Sequence, residues 1–305
     1  MKVLLTGASG QLGQALRAST PAEISLIATS RNGGDGRLAL NLADADACHA
    51  VVQEHRPDWV LNAGAYTAVD KAEAEPELAN AVNAEAPAAF ATSLEAIGGK
   101  LLQISTDFVF NGAQGSPYQP YQTKTPLGVY GASKAAGEDA IQRVFKDEAR
   151  ALILRTSWLI GPVGNNFALT MLRLHRERET LGVVSDQLGC PSSTINLATA
   201  CWQSIKLASQ GNLPNVMHWS DAGAASWYDV AVAVGELGQE LCLLDTAALV
   251  HPIQTSDYPT PAARPSYSLL DCNGTRKALQ LNGEHWRHAL KTVLRSTAQP
   301  AKATH

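Results

Sequence analysis

Tyr130 and Lys134 stand four residues apart in Tyr130-Gly-Ala-Ser-Lys134, a spacing that puts both side chains on one face of a helix, a turn apart. An ammonium beside a phenol favours the phenolate and lowers a pKa that starts near about 10. A tyrosine tuned in this way can give or take a proton near neutral pH. Ser105-Thr106-Asp107 lies upstream and is read together with this pair. A Tyr-x-x-x-Lys spacing alone is common on solvated helix faces. It becomes informative if the same chain binds a redox cofactor.

Gly7-Ala-Ser-Gly10-Gln11-Leu12-Gly13 supplies that condition. It follows a short apolar run and opens a helical pattern. Glycines at such a turn let the backbone bend sharply and approach a pyrophosphate, while the helix N-terminus offers N–H donors and partial positive charge. The spacing is Gly-x-x-Gly-x-x-Gly and not the simplest Gly-x-Gly-x-x-Gly. A turn that merely needs glycines competes with the dinucleotide reading, and the strand-to-helix context favours the dinucleotide. An acid at the end of the second strand would hold the 2′-hydroxyl of NAD, whereas a base suits the 2′-phosphate of NADP. Thr29-Ser30-Arg31 brings a base there, and no acid follows before Asp35. Arg31 therefore points to NADPH, with NADH as an accepted alternative. Asn41 and Leu42 are candidates to bracket the adenine, and Ala63-Gly64-Ala65 offers small side chains where the cofactor would pass.

These residues need a scaffold, and the first half of the chain describes one. Apolar runs predict strands over Lys2–Thr6, Ser25–Thr29, Trp59–Ala63, Leu101–Ser105 and Ala151–Thr156. Helical patterns over Gln11–Ala18, Ala45–His55, Glu77–Ile97 and Tyr130–Phe145 lie between them. Strand–helix alternation with near-continuous apolar strands predicts an α/β fold around a doubly wound parallel sheet of the Rossmann kind. Such sheets bind ligands beyond the carboxyl ends of their strands, where Gly7, Ala63 and Thr106 all fall. After about Trp158 the rhythm breaks into Pro- and Gly-rich stretches such as 161–166 and 251–265. The expected organisation is a dinucleotide domain over 1–160, a smaller interleaved C-terminal substrate lobe over 161–295, and a frayed tail over 296–305.

Composition narrows the class. The 305 residues are 45% hydrophobic and 17% charged, with a net charge of −4, which gives no reason to expect nucleic acid or an anionic membrane as partner. Five scattered cysteines form no Cys-x-x-Cys pair, so neither a disulfide framework nor a zinc site is suggested. Neither a signal peptide nor an apolar run of membrane-spanning length stands out, and the expected location is the cytoplasm.

Gly7–Gly13, Asn62-Ala-Gly-Ala-Tyr66-Thr-Ala-Val69-Asp70-Lys71-Ala-Glu73, Ser105-Thr106-Asp107-Phe108-Val109-Phe110 and Tyr130-x-x-x-Lys134 together resemble the extended short-chain dehydrogenase/reductases. Within them the chain is similar to the dTDP-4-dehydrorhamnose reductases. The similarity continues through Arg155-Thr156-Ser157-Trp158, Asp186-Gln187-Leu-Gly189-Cys-Pro191 and Arg264-Pro265-Ser-Tyr-Ser268-Leu-Leu-Asp271. The resemblance implies NADPH-dependent reduction of the C4 keto group of a dTDP-linked sugar, in the biosynthesis of dTDP-rhamnose for cell-surface polysaccharide. It implies Tyr130 as proton donor, and Lys134 as the group that holds the nicotinamide ribose and keeps the tyrosine pKa low. Thr106 would hydrogen-bond the carbonyl or the tyrosine. Asp107 and Trp158 would contact the sugar, Trp158 through its flat face, although a tryptophan at a strand end is as readily core. Arg264, whose fork suits a diphosphate, would contact the dTDP phosphates, with a surface salt bridge as the competing role.

Two positions depart from the family pattern. Phe108 stands where a tyrosine is usual, and Gln14-Ala15 stand where some members carry a metal-binding glutamate. No metal site is expected, and a monomer or weak homodimer follows from that. A nucleotide-sugar epimerase or dehydratase is the nearest alternative, although a single acid after Thr106 argues against a dehydratase. A non-catalytic subunit of the methionine adenosyltransferase type is a second alternative, disfavoured by an intact Tyr130, Lys134 and Thr106.

Overall fold

The computed structural model describes residues 1–146, 150–208, 211 and 213–297. Each apolar run forms the expected strand to within a residue or so: β1 (Lys2–Thr6), β2 (Ser25–Ser30), β4 (Trp59–Asn62), β5 (Lys100–Thr106) and β6 (Ala151–Thr156). A two-residue β3 (Leu38–Ala39) extends the sheet beyond β2. Short strands follow in the second half: β7 (Leu159–Ile160), β8 (Thr180–Val184), β9 (Leu188–Gly189), β10 (Ser192–Ser193), β11 (Val216–Trp219), β12 (Ala225–Ser226) and β13 (Leu249–Ile253). The main sheet runs β11-β6-β5-β4-β1-β2-β3 with every neighbouring pair parallel. Strand order reverses between β1 and β4, which opens a crevice at their carboxyl ends.

Helices cover both faces, which explains the unbroken apolar strands. On one face α1 (Gln11–Ala18) packs with α8 (Thr194–Ala208) through Leu12, Leu16, Leu197 and Trp202. On the other, α2 (Ala45–His55), α5 (Ala86–Ile97) and α6 (Val129–Phe145) bury Val52, Phe90, Leu94, Ile141 and Phe145. The helix expected over Glu77–Ile97 is interrupted. After the short α3 (Val69–Ala72), α4 (Pro76–Asn80) passes into a π turn at Ala81–Glu85 before α5 begins. Apolar periodicity is blind to one widened turn.

A separate core gathers Ile160, Met171, Leu172, Val183, Val230, Val234, Leu290 and Leu294. It is built from β7, β8, α7 (Phe167–Glu177), α9 (Trp227–Glu240) and α11 (Trp286–Thr297). Between these elements the chain returns to the sheet with α8, β11 and α10 (Asn273–Leu279), whose Leu279 joins the first core. Ser296 and Thr297, expected to open the tail, close α11, and the remainder of that segment lies outside the described residues. Among the described residues no helix is long and apolar enough to cross a membrane.

Candidate active site

The glycine turn after β1 is packed backbone against backbone. Gly7 has φ +63°, and a Cβ on it would fall 2.6 Å from Gly64 Cα. A Cβ on Gly13 would fall 2.1 Å from the Gly7 carbonyl oxygen, so α1 presses directly on the turn. Gly10, by contrast, is the N-cap of α1 and meets nothing closer than that same oxygen at 3.3 Å. With no side-chain cap and no acid in the first turn of α1, the N–H groups there remain available to an anion. A pyrophosphate fits this cradle. Leu12 is core, whereas Gln11 bridges outward: its Nε2 donates to Asn165 O at 3.1 Å and its Oε1 accepts from Asn166 Nδ2 at 2.8 Å.

Ala63, Gly64 and Ala65 line the crevice half-buried, with Gly64 N donating to Thr6 Oγ1 at 3.1 Å. Leu42 reaches the same place, since a Cβ on Gly64 would meet its Cδ1 at 2.4 Å. Asn41 is exposed and accepts from Ala43 N at 3.2 Å. Arg31 is exposed just past β2.

Thr106 ends β5 and Tyr130 is the second residue of α6. The Thr106 hydroxyl lies near enough to the Tyr130 phenol to act on its pKa. Thr106 Oγ1 also donates to Asp107 Oδ1 at 3.0 Å and accepts from Phe108 N at 3.2 Å. Phe108 packs edge-on against Tyr130, centroids 5.6 Å apart at 73°. The expected electrostatics are corrected here. Lys134 is buried and its Nζ donates to Ile104 O at 2.7 Å, and burial pushes the Tyr130 phenol up to about 12. The Thr106 hydroxyl pulls that phenol down, the Asp107 charge pushes it up, and Lys134 makes no lowering contribution. Burial lowers the Lys134 ammonium to about 8, opposed by Glu138. A tyrosine that stays protonated suits a donor better than an acceptor.

Asp107 is 2% exposed, and its Oδ2 has no hydrogen-bond partner among the described residues. Burial raises its pKa from 3.8 to about 6. The folded state therefore holds this proton more tightly than the unfolded chain. The associated stability is complete below about pH 4 and is lost as pH rises through about 6. Asp107→Asn is expected to raise stability toward urea by about 2–3 kcal/mol at pH 8 and to leave it unchanged at pH 4. Paired denaturation curves at the two pH values measure this.

Trp158 and Arg264 are both engaged within the protein. Trp158, at φ +45°, stacks on Trp227 with centroids 3.6 Å apart and planes 8° apart, and Phe167 leans on Trp227 at 4.6 Å. A Cβ on Gly189 would lie 2.5–2.8 Å from Trp158 Cε2, Cζ2 and Nε1, so the indole is also held from that side. A flat indole face fully open to a sugar is therefore not what the fold presents. Arg264 forms a two-pronged pair with Asp70, Nη1 to Oδ1 at 3.0 Å and Nη2 to Oδ2 at 2.8 Å. It also donates to Thr260 Oγ1 and to Ala262 O. Its fork is committed to fastening the 258–265 loop onto α3.

Four supporting residues had no role assigned from the sequence. Asn83, inside the π turn and 2% exposed, accepts from Tyr66 N at 2.9 Å and donates to Tyr66 O at 3.0 Å and Ser133 Oγ at 3.1 Å. It joins the loop after β4 to the helix of Tyr130. Glu138 and Arg155 form a buried ion pair one turn beyond Lys134. Glu73 Oε1 accepts from Val129 N at 2.9 Å and caps α6, whose N-cap Gly128 has no side chain to do so. Glu73→Ala is expected to cost about 1 kcal/mol of stability and to lower turnover, because the freed N–H precedes Tyr130. Urea denaturation beside steady-state rates checks both effects. Among the described residues no three His, Cys, Asp or Glu side chains converge as a metal-holding group.

A parallel dinucleotide-type sheet with Tyr130, Lys134 and Thr106 at its ligand-binding edge defines an oxidoreductase of the extended short-chain dehydrogenase/reductase class. The RmlD substrate binding domain family matches residues 1–299. The dTDP-4-dehydrorhamnose reductase of Salmonella typhimurium is 36% identical over 295 residues, 96% of this chain and 97% of that protein. The reductase of that name from Streptomyces griseus is 38% identical, covering 94% of this chain and 91% of its own. The crystal structure of dTDP-4-dehydrorhamnose reductase from Bacillus anthracis in complex with NADP superposes with a TM-score of 0.87 at 32% identity, covering 97% of this chain and 99% of that one. The chain belongs to the dTDP-4-dehydrorhamnose reductase family.

Proposed function

We propose that the protein reduces the C4 keto group of dTDP-4-dehydro-L-rhamnose to dTDP-L-rhamnose with NADPH. The observation that carries this reading is the Tyr130–Thr106 hydroxyl pair at the end of β5, with Lys134 fastened beneath it and the glycine cradle two strands away. NADPH, when bound, supplies the hydride. Gly7, Gly10 and Gly13 admit its pyrophosphate, and Arg31 in place of an acid after β2 favours the 2′-phosphate.

Tyr130, held protonated by burial, gives its proton to the C4 oxygen as that atom gains charge. Thr106 would turn its single O–H from Asp107 Oδ1 to the same oxygen and serve there as a second donor. Lys134 spends one N–H on Ile104 O and can turn its others to the ribose hydroxyls. Asp107 Oδ2, buried without a partner, is an acceptor waiting for a sugar hydroxyl. The lobe built on Ile160, Val230 and Leu290 would carry the nucleotide end of the substrate, and Trp158, backed by Trp227, would form the wall between sugar and base.

The test mixes purified protein, NADPH and dTDP-4-dehydro-L-rhamnose, then follows nicotinamide absorbance and separates the sugar nucleotides. Consumption of NADPH matched by dTDP-L-rhamnose is expected. A protein that binds both ligands but turns over neither would sink the proposal.

A further inference from the structure

Between β2 and β3 the chain makes a tight excursion over 31–37 before rejoining the sheet with Thr29 opposite Leu38 and Ser30 opposite Ala39. Gly33, Gly34, Asp35 and Gly36 all lie in the left-handed region, at φ +67°, +83°, +50° and +74°. The turn folds Arg37 back onto the strand end. Arg37 Nε donates to Ser30 Oγ at 3.3 Å, and Nη2 pairs with Asp35 Oδ2 at 2.7 Å. The arginine side chain is 15% exposed, while that of Asp35 is 85% exposed. Arg17, near the end of α1, donates to Asp35 O at 3.5 Å, and Arg31 follows Ser30 directly. One guanidinium holds the Asp35 carboxylate and a second reaches the backbone carbonyl of the same residue, in a chain whose net charge is −4.

This place is joined to the glycine cradle, because Ala8 N donates to Thr29 O at 2.9 Å. In a doubly wound sheet the end of β2 faces the 2′ position of the adenosine ribose. We propose that Arg37 and Ser30, together with Arg31, form the subsite for the 2′-phosphate, and that Asp35 is the internal counter-anion which the phosphate displaces. The inference rests on the NADPH reading above and adds the residues that discriminate. A guanidinium fork matches phosphate oxygens in two prongs, and Ser30 keeps that fork at the strand end when the carboxylate leaves. Asp35, already largely hydrated, swings into water at little cost. Its charge opposes only ligands that carry the 2′-phosphate, so its removal acts on one cofactor and not the other.

Calorimetric binding of 2′,5′-ADP and 5′-AMP, and of NADPH and NADH, to the unmodified protein, Arg37→Met and Asp35→Asn tests this without turnover. Asparagine tolerates the left-handed backbone at position 35, so that variant keeps the turn. Arg37→Met is expected to weaken 2′,5′-ADP and NADPH about tenfold or more, with 5′-AMP and NADH within about twofold of the unmodified protein. Asp35→Asn is expected to tighten the 2′-phosphate ligands severalfold and leave the others alone. Equal losses for both cofactors in Arg37→Met, or an unchanged NADPH-to-NADH ratio in Asp35→Asn, would overturn the assignment. An unmodified protein that binds neither cofactor would overturn the NADPH reading and this inference with it.

Discussion

Replacing Tyr130 with phenylalanine is expected to lower turnover about a thousandfold while leaving the affinity for NADPH within about twofold. The change deletes one hydroxyl and keeps the ring, whose edge contact with Phe108 at 5.6 Å holds the start of α6 in place. Thr106 keeps its bonds to Asp107 and the Phe108 N–H. On the proposed reaction, what disappears is the proton destined for the C4 oxygen. Because burial holds the phenol near 12, the unmodified enzyme should lose no rate through tyrosine ionisation in the neutral range. Lys134, brought down to about 8, gives up its charge as pH rises through that value, so a fall in rate on the alkaline side belongs to the lysine. Single-turnover rates from pH 6 to 9 for both proteins, beside NADPH titrations, measure these effects. A variant with unchanged turnover would remove Tyr130 from the chemistry.

Arg155→Met carries the largest expected effect on stability. The Glu138 side chain is fully buried, and Arg155 meets it with Nε on Oε1 at 2.9 Å and Nη2 on Oε2 at 2.7 Å. Ser105 Oγ adds a hydrogen bond, and Lys124 Nζ lies 3.4 Å from Oε2. Burial pushes the carboxyl pKa up, but Arg155 and Lys124 outweigh it and hold the group below its usual value. Without Arg155 the carboxylate is left in the interior with partial compensation, a change worth about 3–5 kcal/mol. Protonation relieves it, so the loss in urea denaturation should be greatest at pH 8 and smaller at pH 5. Adding Glu138→Leu to the same protein removes the stranded charge and should restore most of the stability. A full loss that persists in the double variant would show that shape, and not charge, holds this interior. Since Glu138 lies one turn past Lys134 on α6, the single variant should also loosen the lysine and slow turnover.

The sheet and the placement of Tyr130, Lys134 and Thr106 at its edge were legible because each depends on short-range pattern. β1, β2, β4, β5 and β6 are apolar runs covered on both sides, with Gly7 and Ala63 just after their strands and Thr106 closing its own, so the strand ends bring them together. Residues whose roles depend on distant partners were not legible. Arg264 meets Asp70 across 194 positions of chain, where the 258–265 loop lies against α3, and Trp158 meets Trp227 in the packing around the second core. Lys134 and Tyr130 have the spacing of a coupled pair, yet the Ile104 carbonyl captures the ammonium because β5 runs beneath α6. Asn83 sits in a widened turn, and Gly137 is the trace of it: a Cβ there would strike the Asn83 carbonyl at 2.1 Å. Arg31 was the visible base after β2, while Arg37 reached the same strand end only once the glycines of the 31–37 turn had folded it back.

The central claim, reduction of a 4-keto sugar nucleotide at the Tyr130–Thr106 pair, is tested most directly by isotope transfer. Unmodified protein is incubated with dTDP-4-dehydro-L-rhamnose and NADPH deuterated at nicotinamide C4 in the transferable position, and the sugar nucleotide is analysed by mass spectrometry and NMR. The account predicts dTDP-L-rhamnose bearing deuterium at C4 of the sugar, and almost none from Tyr130→Phe under the same conditions. Recovery of unlabelled keto sugar from the unmodified protein, with NADPH and substrate both shown to bind, would contradict it.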